Sequence, residues 1–257
     1  MSGAIARKVS YGWRLVATTF CFAVFGVGGL LASLVWTPLV YGVVRDRDRR
    51  GRVLRFTIHV LFRAFVFLMK SVGVLTYEVA GAARLREPGR LVVATHPTLI
   101  DIVFLMALIP NGVCVAKQVL LDRLPFGPLL RGAGYVGNAE PRASLEACAE
   151  RLRGGVAVVL FPEGTRSVTG RHARFKRGTA HVVIGSGVAP LPVRIDCAPP
   201  TLRKGERYYE IPERRVHFTI AVGEPIDVGH DSTSAFESVR ARAITEHIRT
   251  ALNGAGS

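Results

Sequence analysis

The sequence predicts an α/β fold with a mixed, largely parallel central sheet flanked by helices, preceded by an N-terminal membrane-associated helical segment. Three observations lead there. Short apolar runs without polar alternation, Leu91-Val92-Val93-Ala94, Val113-Cys114-Val115-Ala116 and Val156-Ala157-Val158-Val159-Leu160, read as strands buried on both faces. Stretches of helical spacing separate them, as a βαβ arrangement requires. Residues 15–44 contain no charged side chain. The expected division is a membrane anchor and interfacial helix over 1–80, then an α/β domain with a C-terminal helix over 81–257.

Thirty helical residues are about 45 Å long, which exceeds the ~30 Å hydrocarbon layer. The uncharged run therefore reads as an anchor, with Pro38 ending or bending it near its far side. It is too long for a signal-peptide core, and no clear small-residue cleavage site follows it. Arg45, Arg47, Arg49, Arg50, Arg52 and Arg55 follow the run, against Arg7, Lys8 and Arg14 ahead of it. That asymmetry places the following domain on the cytoplasmic side of a cell inner or plasma membrane.

Residues 53–79 are apolar but interrupted by His59, Arg63 and Lys70. Arg63 and Lys70 are seven apart and share a helical face. An interfacial amphipathic helix suits this pattern, and so does a core helix with two snorkelling bases. Residues 75–80 form a candidate first strand, and 81–90 a polar turn containing Pro88-Gly89. The run 91–94 is the next strand, 102–109 a helix closed by Pro110, and 113–116 a strand with Lys117 at its end. Leu124 to Leu130, with Pro125 and Pro128, reads as a packed loop or the lining of an apolar channel. Leu145, Cys148 and Leu152 recur at helical spacing over 143–153, with Gly154-Gly155 as a stop. After the strand 156–160 come a basic loop (Arg171, His172, Arg174, Lys176, Arg177), a helix over 178–184 and a strand over 188–195. Residues 199–215 are a polar insertion, 216–222 a strand, and 234–252 an amphipathic C-terminal helix.

The chain has 257 residues, 49% of them hydrophobic, and a formal net charge of +15. Such a charge suits nucleic acid, anionic lipid or acidic ligands. No helix-turn-helix, zinc-finger or RNA-binding signature supports nucleic acid, whereas an apolar N-terminus beside the basic excess supports a bilayer surface. Cys21, Cys114, Cys148 and Cys197 are scattered without metal-ligand spacing and read as reduced, structural thiols. No metal site is expected.

Chemistry concentrates where strands end. His96 lies between the strand 91–94 and the helix that follows, where open α/β sheets gather ligands. Asp101 lies about one turn into that helix, and a turn-borne imidazole can fold back onto it. The pair suits general-base work on an alcohol: His96 takes the proton, and Asp101 fixes the tautomer. A helix-capping His beside a first-turn acid is the plainer reading of the pair alone. The strand 156–160 runs into Phe161-Pro162-Glu163-Gly164-Thr165-Arg166-Ser167. Gly164 allows close main-chain approach, Thr165 and Ser167 add hydroxyls, and Arg166 offers a fork matched to phosphate. It looks like a second wall of the same site.

These blocks resemble the glycerolipid acyltransferase family, whose best-known members make phosphatidic acid from lysophosphatidic acid. His96 and Asp101 match its His, four residues, Asp pattern. Residues 161–167 match its Phe-Pro-Glu-Gly-Thr-Arg-Ser block letter for letter, Phe175-Lys176-Arg177-Gly178 a following block, and Pro190-Leu191-Pro192-Val193 a last one. The likeness covers roughly residues 75–225. It implies an O-acyltransferase of phospholipid biosynthesis with His96 and Asp101 as catalytic residues. Glu163, Gly164, Thr165 and Arg166 would bind the acceptor's head group, with Lys176 beside them. The implied partners are a bilayer, a lysolipid acceptor and an acyl thioester of coenzyme A or acyl carrier protein, a co-substrate that leaves no need for a bound cofactor.

One block departs from the family. An Arg expected six residues after a Gly, and thought to hold the acceptor's phosphate, is Glu140 when counted from Gly134. Arg142 and Arg131 are near enough in sequence to substitute, and Arg142 is the one expected to bind. The departure keeps acyl transfer and opens the acceptor: another lysophospholipid or a specialised hydroxylated lipid is the alternative. A non-catalytic module that binds anionic lipid is the second alternative.

Overall fold

The structure is a computed structural model and describes residues 2–166, 175–228 and 237–254. Helix α1 (Ser2–Leu31) passes through one π-helical turn (Ala32–Trp36) into α2 (Thr37–Val43). The π turn ends two residues before Pro38, whose missing N–H takes one bond out of this continuous helix. The carbonyl of Ala32 accepts the Thr37 N–H, five residues on, and also the Thr37 hydroxyl at 2.8 Å. The most apolar 18-residue window within Arg7–Val43 has a mean hydropathy of 2.1, and the helix is long and apolar enough to cross a membrane.

Helix α3 (Arg47–Ser71) starts at Asp46, whose carboxylate accepts the Arg49 N–H at 2.6 Å. It returns antiparallel along α1, with Phe25 packed between Phe62 and Phe65 at ring separations of 5.4 and 4.6 Å. Its other face buries Leu54, Ile58 and Met69. Arg63 and Lys70 are both exposed, as their shared face predicts. One face lies in the core and a basic face outside, as the core-helix reading with two exposed bases expects.

The sheet contains β1 (Leu75–Ala80), β2 (Leu91–Ala94), β3 (Gly112–Ala116), β4 (Val136–Gly137), β5 (Ala157–Leu160), β6 (Pro190–Ala198) and β7 (Val216–Val222), in the order β1-β7-β6-β2-β5-β3-β4. Every pairing is parallel except β6 with β7. β1 and β7 therefore run opposite to the other five, and the sheet is mixed and largely parallel. Its packed body begins at Leu75, ahead of the 80/81 division, because β1 pairs with β7 from Leu75↔Val216 to Ala80↔Ala221. β2 and β5 are buried at every position, which explains their unbroken apolar character.

The helices are α4 (Asp101–Leu108), α5 (Gln118–Asp122), α6 (Gly127–Ala133), α7 (Pro141–Arg153), α8 (Gly178–Ser186) and α9 (Glu237–Gly254). Two corrections concern the sequence reading. Asp101 opens α4 instead of lying a turn inside it. Residues 124–130, expected as a packed loop or the lining of an apolar channel, run into a helix, α6 from Gly127 to Ala133, because Pro128 occupies a first-turn position that helices tolerate. Of the C-terminal segment, Ser234 to Phe236 lie outside the described residues, and α9 buries Ala241, Ile244, Ile248 and Leu252.

Candidate active site

β2 and β5 are parallel neighbours with Val93 opposite Leu160, so their C-terminal ends deliver residues 95–97 and 161–163 side by side. Thr95 fixes the first of these turns. Its hydroxyl accepts the Ile195 N–H at 2.8 Å and donates to the Ile195 carbonyl at 3.1 Å, tying the turn to β6. His96 Nδ1 then lies 2.9 Å from Asp101 Oδ2. Five residues of continuous helix would not bring them together; the non-helical turn 95–100 does.

Asp101 is completely buried, and its oxygens are fully engaged. Besides His96, they accept the Thr98 N–H at 2.6 Å and the Thr98 hydroxyl at 2.5 Å. Burial raises the carboxyl above the usual carboxylate range, opposed by the hydrogen bonds from His96 and Thr98. A carboxylate held on Nδ1 directs that nitrogen's proton toward itself, which leaves Nε2 as the basic nitrogen. The sequence did signal Thr98: Thr98-x-x-Asp101 has the spacing of a capping box, whose acid-to-N–H half is formed here.

The second wall closes on the first. The Phe161 ring stacks on the His96 imidazole, with centroids 4.0 Å apart and planes 19° apart. Glu163 is buried and accepts the His96 backbone N–H at 3.3 Å. Gly164 has φ +67°, and its N–H returns to the Phe161 carbonyl at 2.9 Å. The Lys176 side chain crosses directly over Gly164, where a Cβ would meet Lys176 Cε and Nζ at 2.8 Å. Thr165 is exposed on the same turn. Arg166 reaches the 199–215 insertion, donating through one terminal nitrogen to the Leu202 and Arg203 carbonyls, both at 2.9 Å.

The structure thus gathers His96, Asp101, Glu163, Gly164, Thr165, Arg166 and Lys176 at one strand-end corner. Arg142 does not join them. Its side chain is 94% exposed and pairs with Glu146 at 3.1 Å, one turn along α7. Arg131 is occupied as well, donating to the Leu121 carbonyl. Glu140 precedes α7 and is exposed. Ser167, Arg171, His172 and Arg174 lie outside the described residues. The thiols are unsuited to nucleophilic work: burial pushes Cys114 and Cys197 up to about 12 and Cys148 to about 11.

The site is thus a buried acid held on an imidazole, set beside a basic turn at the carboxyl ends of parallel strands of an α/β sheet. Residues 76–196, which span both walls, match the family model described as Acyltransferase. That segment, just under half of the chain, is similar to the acyltransferase family. Among its relatives is a 1-acyl-sn-glycerol-3-phosphate acyltransferase of Cocos nucifera, 34% identical over 70% of this chain and 57% of its own length. Another 1-acyl-sn-glycerol-3-phosphate acyltransferase, from Pseudomonas aeruginosa, is 27% identical over 63% of this chain and 65% of its own length. The chain therefore spans less than two thirds of these relatives. The crystal structure of the 1-acyl-sn-glycerophosphate (LPA) acyltransferase PlsC from Thermotoga maritima shares the fold, with a TM-score of 0.63 over 98% of this chain and 99% of that one, at 20% identity.

Proposed function

We propose that the chain transfers a fatty acyl group from an acyl thioester to the free hydroxyl of a membrane lysolipid, with 1-acyl-sn-glycerol-3-phosphate as acceptor and phosphatidic acid as product. The observation that carries this reading is the His96–Asp101 contact of 2.9 Å, on a carboxylate with no exposure to water. Nε2 of His96 removes the acceptor's hydroxyl proton while Asp101 holds Nδ1–H and steadies the imidazolium. The alkoxide oxygen attacks the thioester carbonyl, the carbon–sulfur bond breaks, and the departing thiolate takes the proton back from His96. No acyl-enzyme forms, and the thioester carrier, coenzyme A or acyl carrier protein, leaves as a thiol.

The turn 163–166 and Lys176 receive the anionic head group, Lys176 as a mobile cation and Arg166 through the guanidinium nitrogens not given to the insertion. The apolar helix Arg7–Val43 anchors the protein in the bilayer that holds its substrates. The arginines that follow it keep the catalytic domain cytoplasmic.

A second reading concerns the acceptor alone. Glu140 stands where the family resemblance expects a phosphate-binding Arg, and Arg142 is committed to Glu146 in solvent. This favours an acceptor with a different head group. Purified protein in liposomes, given a long-chain acyl thioester with lysophosphatidic acid and separately with neutral and zwitterionic lysolipids, decides the matter. Transfer to lysophosphatidic acid that falls at least about a hundredfold in His96→Ala supports the first reading. His96-dependent transfer to another lysolipid alone replaces it with the second, and transfer to none leaves a lipid-binding module.

A further inference from the structure

We propose that the segment 117–124 is a second bilayer contact, separate from the N-terminal helices, which presses the mouth of the site onto an anionic lipid surface. The inference rests on the reading of α1 as a membrane helix. α5 is short and split by side. Leu121 is buried and holds the segment to the core, while Val119, Leu120 and Leu124 project outward with exposures of 44, 46 and 70%. Leu124 belongs to no helix or strand, so nothing in the packing of an element requires an apolar side chain there. Large apolar side chains this exposed and this close together mark an interaction surface.

Placement identifies the occupant. The segment follows β3, so it leaves the sheet at the same edge as the turn 95–100 that follows β2, and Leu99 there is also exposed. Two residues beyond Leu124, Phe126 packs onto α1 so closely that a Cβ on Gly29 would lie 2.6 Å from its ring. Further along, Gly132 abuts Tyr41 of α2 and Leu54 of α3. The exposed patch is therefore continuous with the outward face of α1, where Val24, Val27, Leu30 and Leu31 are exposed. A bilayer that takes up that face is brought to the patch.

Charge points the same way. Lys117 precedes the apolar residues, Arg123 lies between Leu120 and Leu124, and both cations are exposed. The single acid between them, Asp122, accepts the Gln118 side-chain amide at 2.8 Å. Leucines beside cations suit the boundary of acyl chains and anionic head groups, where apolar side chains sit about 5–10 Å deep. With the patch seated, an acceptor reaches His96 by moving along the bilayer, without leaving it.

The test uses full-length protein with Trp13→Phe and Trp36→Phe, reconstituted into vesicles containing anionic lipid and bromine-labelled acyl chains. Leu124→Trp is the probe, and Val239→Trp, at a similarly exposed position of α9, is the control. Strong bromine quenching at position 124 and weak quenching at position 239 is expected. Quenching that is equally weak at both overturns the proposal, and so does protection of position 124 by an added acyl carrier protein in place of lipid. This readout needs no activity, so a failed acyl-transfer assay leaves it intact. If transfer is found, Leu120→Ser with Leu124→Ser should lower kcat/KM on vesicle-borne acceptor roughly tenfold. The same pair should leave turnover of a short-chain acceptor dispersed as monomers unchanged. An equal loss on both acceptors overturns the proposal.

Discussion

The imidazole of His96 lies flat against the ring of Phe161, 4.0 Å between centroids, so one strand end supplies the imidazole and its neighbour the surface that holds it. The carboxylate of Asp101 fixes the ring at one nitrogen, and a single hydrogen bond leaves rotation about that contact free. Phe161 removes this freedom. Phe161→Ala should therefore lower kcat roughly three- to tenfold with a small change in KM, and Phe161→Tyr should restore most of the loss. Steady-state kinetics of the two variants check this; a change confined to KM would assign Phe161 to substrate binding instead.

On the proposed reaction, Asp101 sets activity against stability. Its carboxyl is raised by burial, so the folded chain binds that proton more tightly than the unfolded chain does. As pH rises from the ordinary carboxylate value to the raised folded one, the unfolding free energy falls; beyond the folded value the cost is constant. Asp101→Asn removes the buried charge. Its melting temperature at neutral pH should equal or exceed that of the parent, with a flatter pH dependence across the acid range. Acyl transfer should fall by about two to four orders of magnitude. Thermal scans from acid to neutral pH, beside activity, check both halves.

Gly164 adopts a left-handed backbone under the Lys176 side chain. Gly164→Ala adds backbone strain of about 1–2 kcal/mol and forces Lys176 aside. The denaturation midpoint should drop accordingly, and KM for an anionic acceptor should rise severalfold. Lys176→Ala in the same background should add little further loss of affinity, which a double-mutant cycle measures.

The two arginines singled out in the sequence should behave oppositely. Arg142 makes one exposed pair within its own helix, so Arg142→Ala should cost no more than about 0.5 kcal/mol and leave kinetics within twofold. Arg166 holds two carbonyls of the 199–215 insertion. Arg166→Ala should destabilise by about 1–3 kcal/mol and raise KM for the acceptor. Arg166→Lys should recover little, because an ammonium does not reproduce the fork.

What was legible in the sequence follows from local physics. The strands 91–94 and 157–160 were visible because burial on both faces leaves no polar residue in them. His96 and Asp101 could be paired because a turn is the one geometry that joins residues five apart at a helix start. The stacking of Phe161 on His96 was hidden, since it depends on β2 and β5 being neighbours in register, which no local pattern encodes. α6 was hidden because Gly127-Pro128 signals a turn as readily as a helix start. β4 has only two residues and carries no period. Arg142 attracted attention by its place in the chain, while its side chain turns to Glu146.

The pairing of β1 with β7 also sets an order of assembly. Leu75 is synthesised among the first eighty residues, yet its partner is Val216. At about 5–20 residues per second, the first strand waits on the order of 10 s for the strand that receives it. Until then β6 lacks its antiparallel neighbour, and the helical hairpin ahead of β1 is tethered to an unfinished sheet. β7 is the keystone, joining the early part of the chain to strands made later. A chain cut before residue 216 should keep its N-terminal apolar helix and lose the corner that joins His96 to Asp101, leaving strand edges free to pair with other nascent chains.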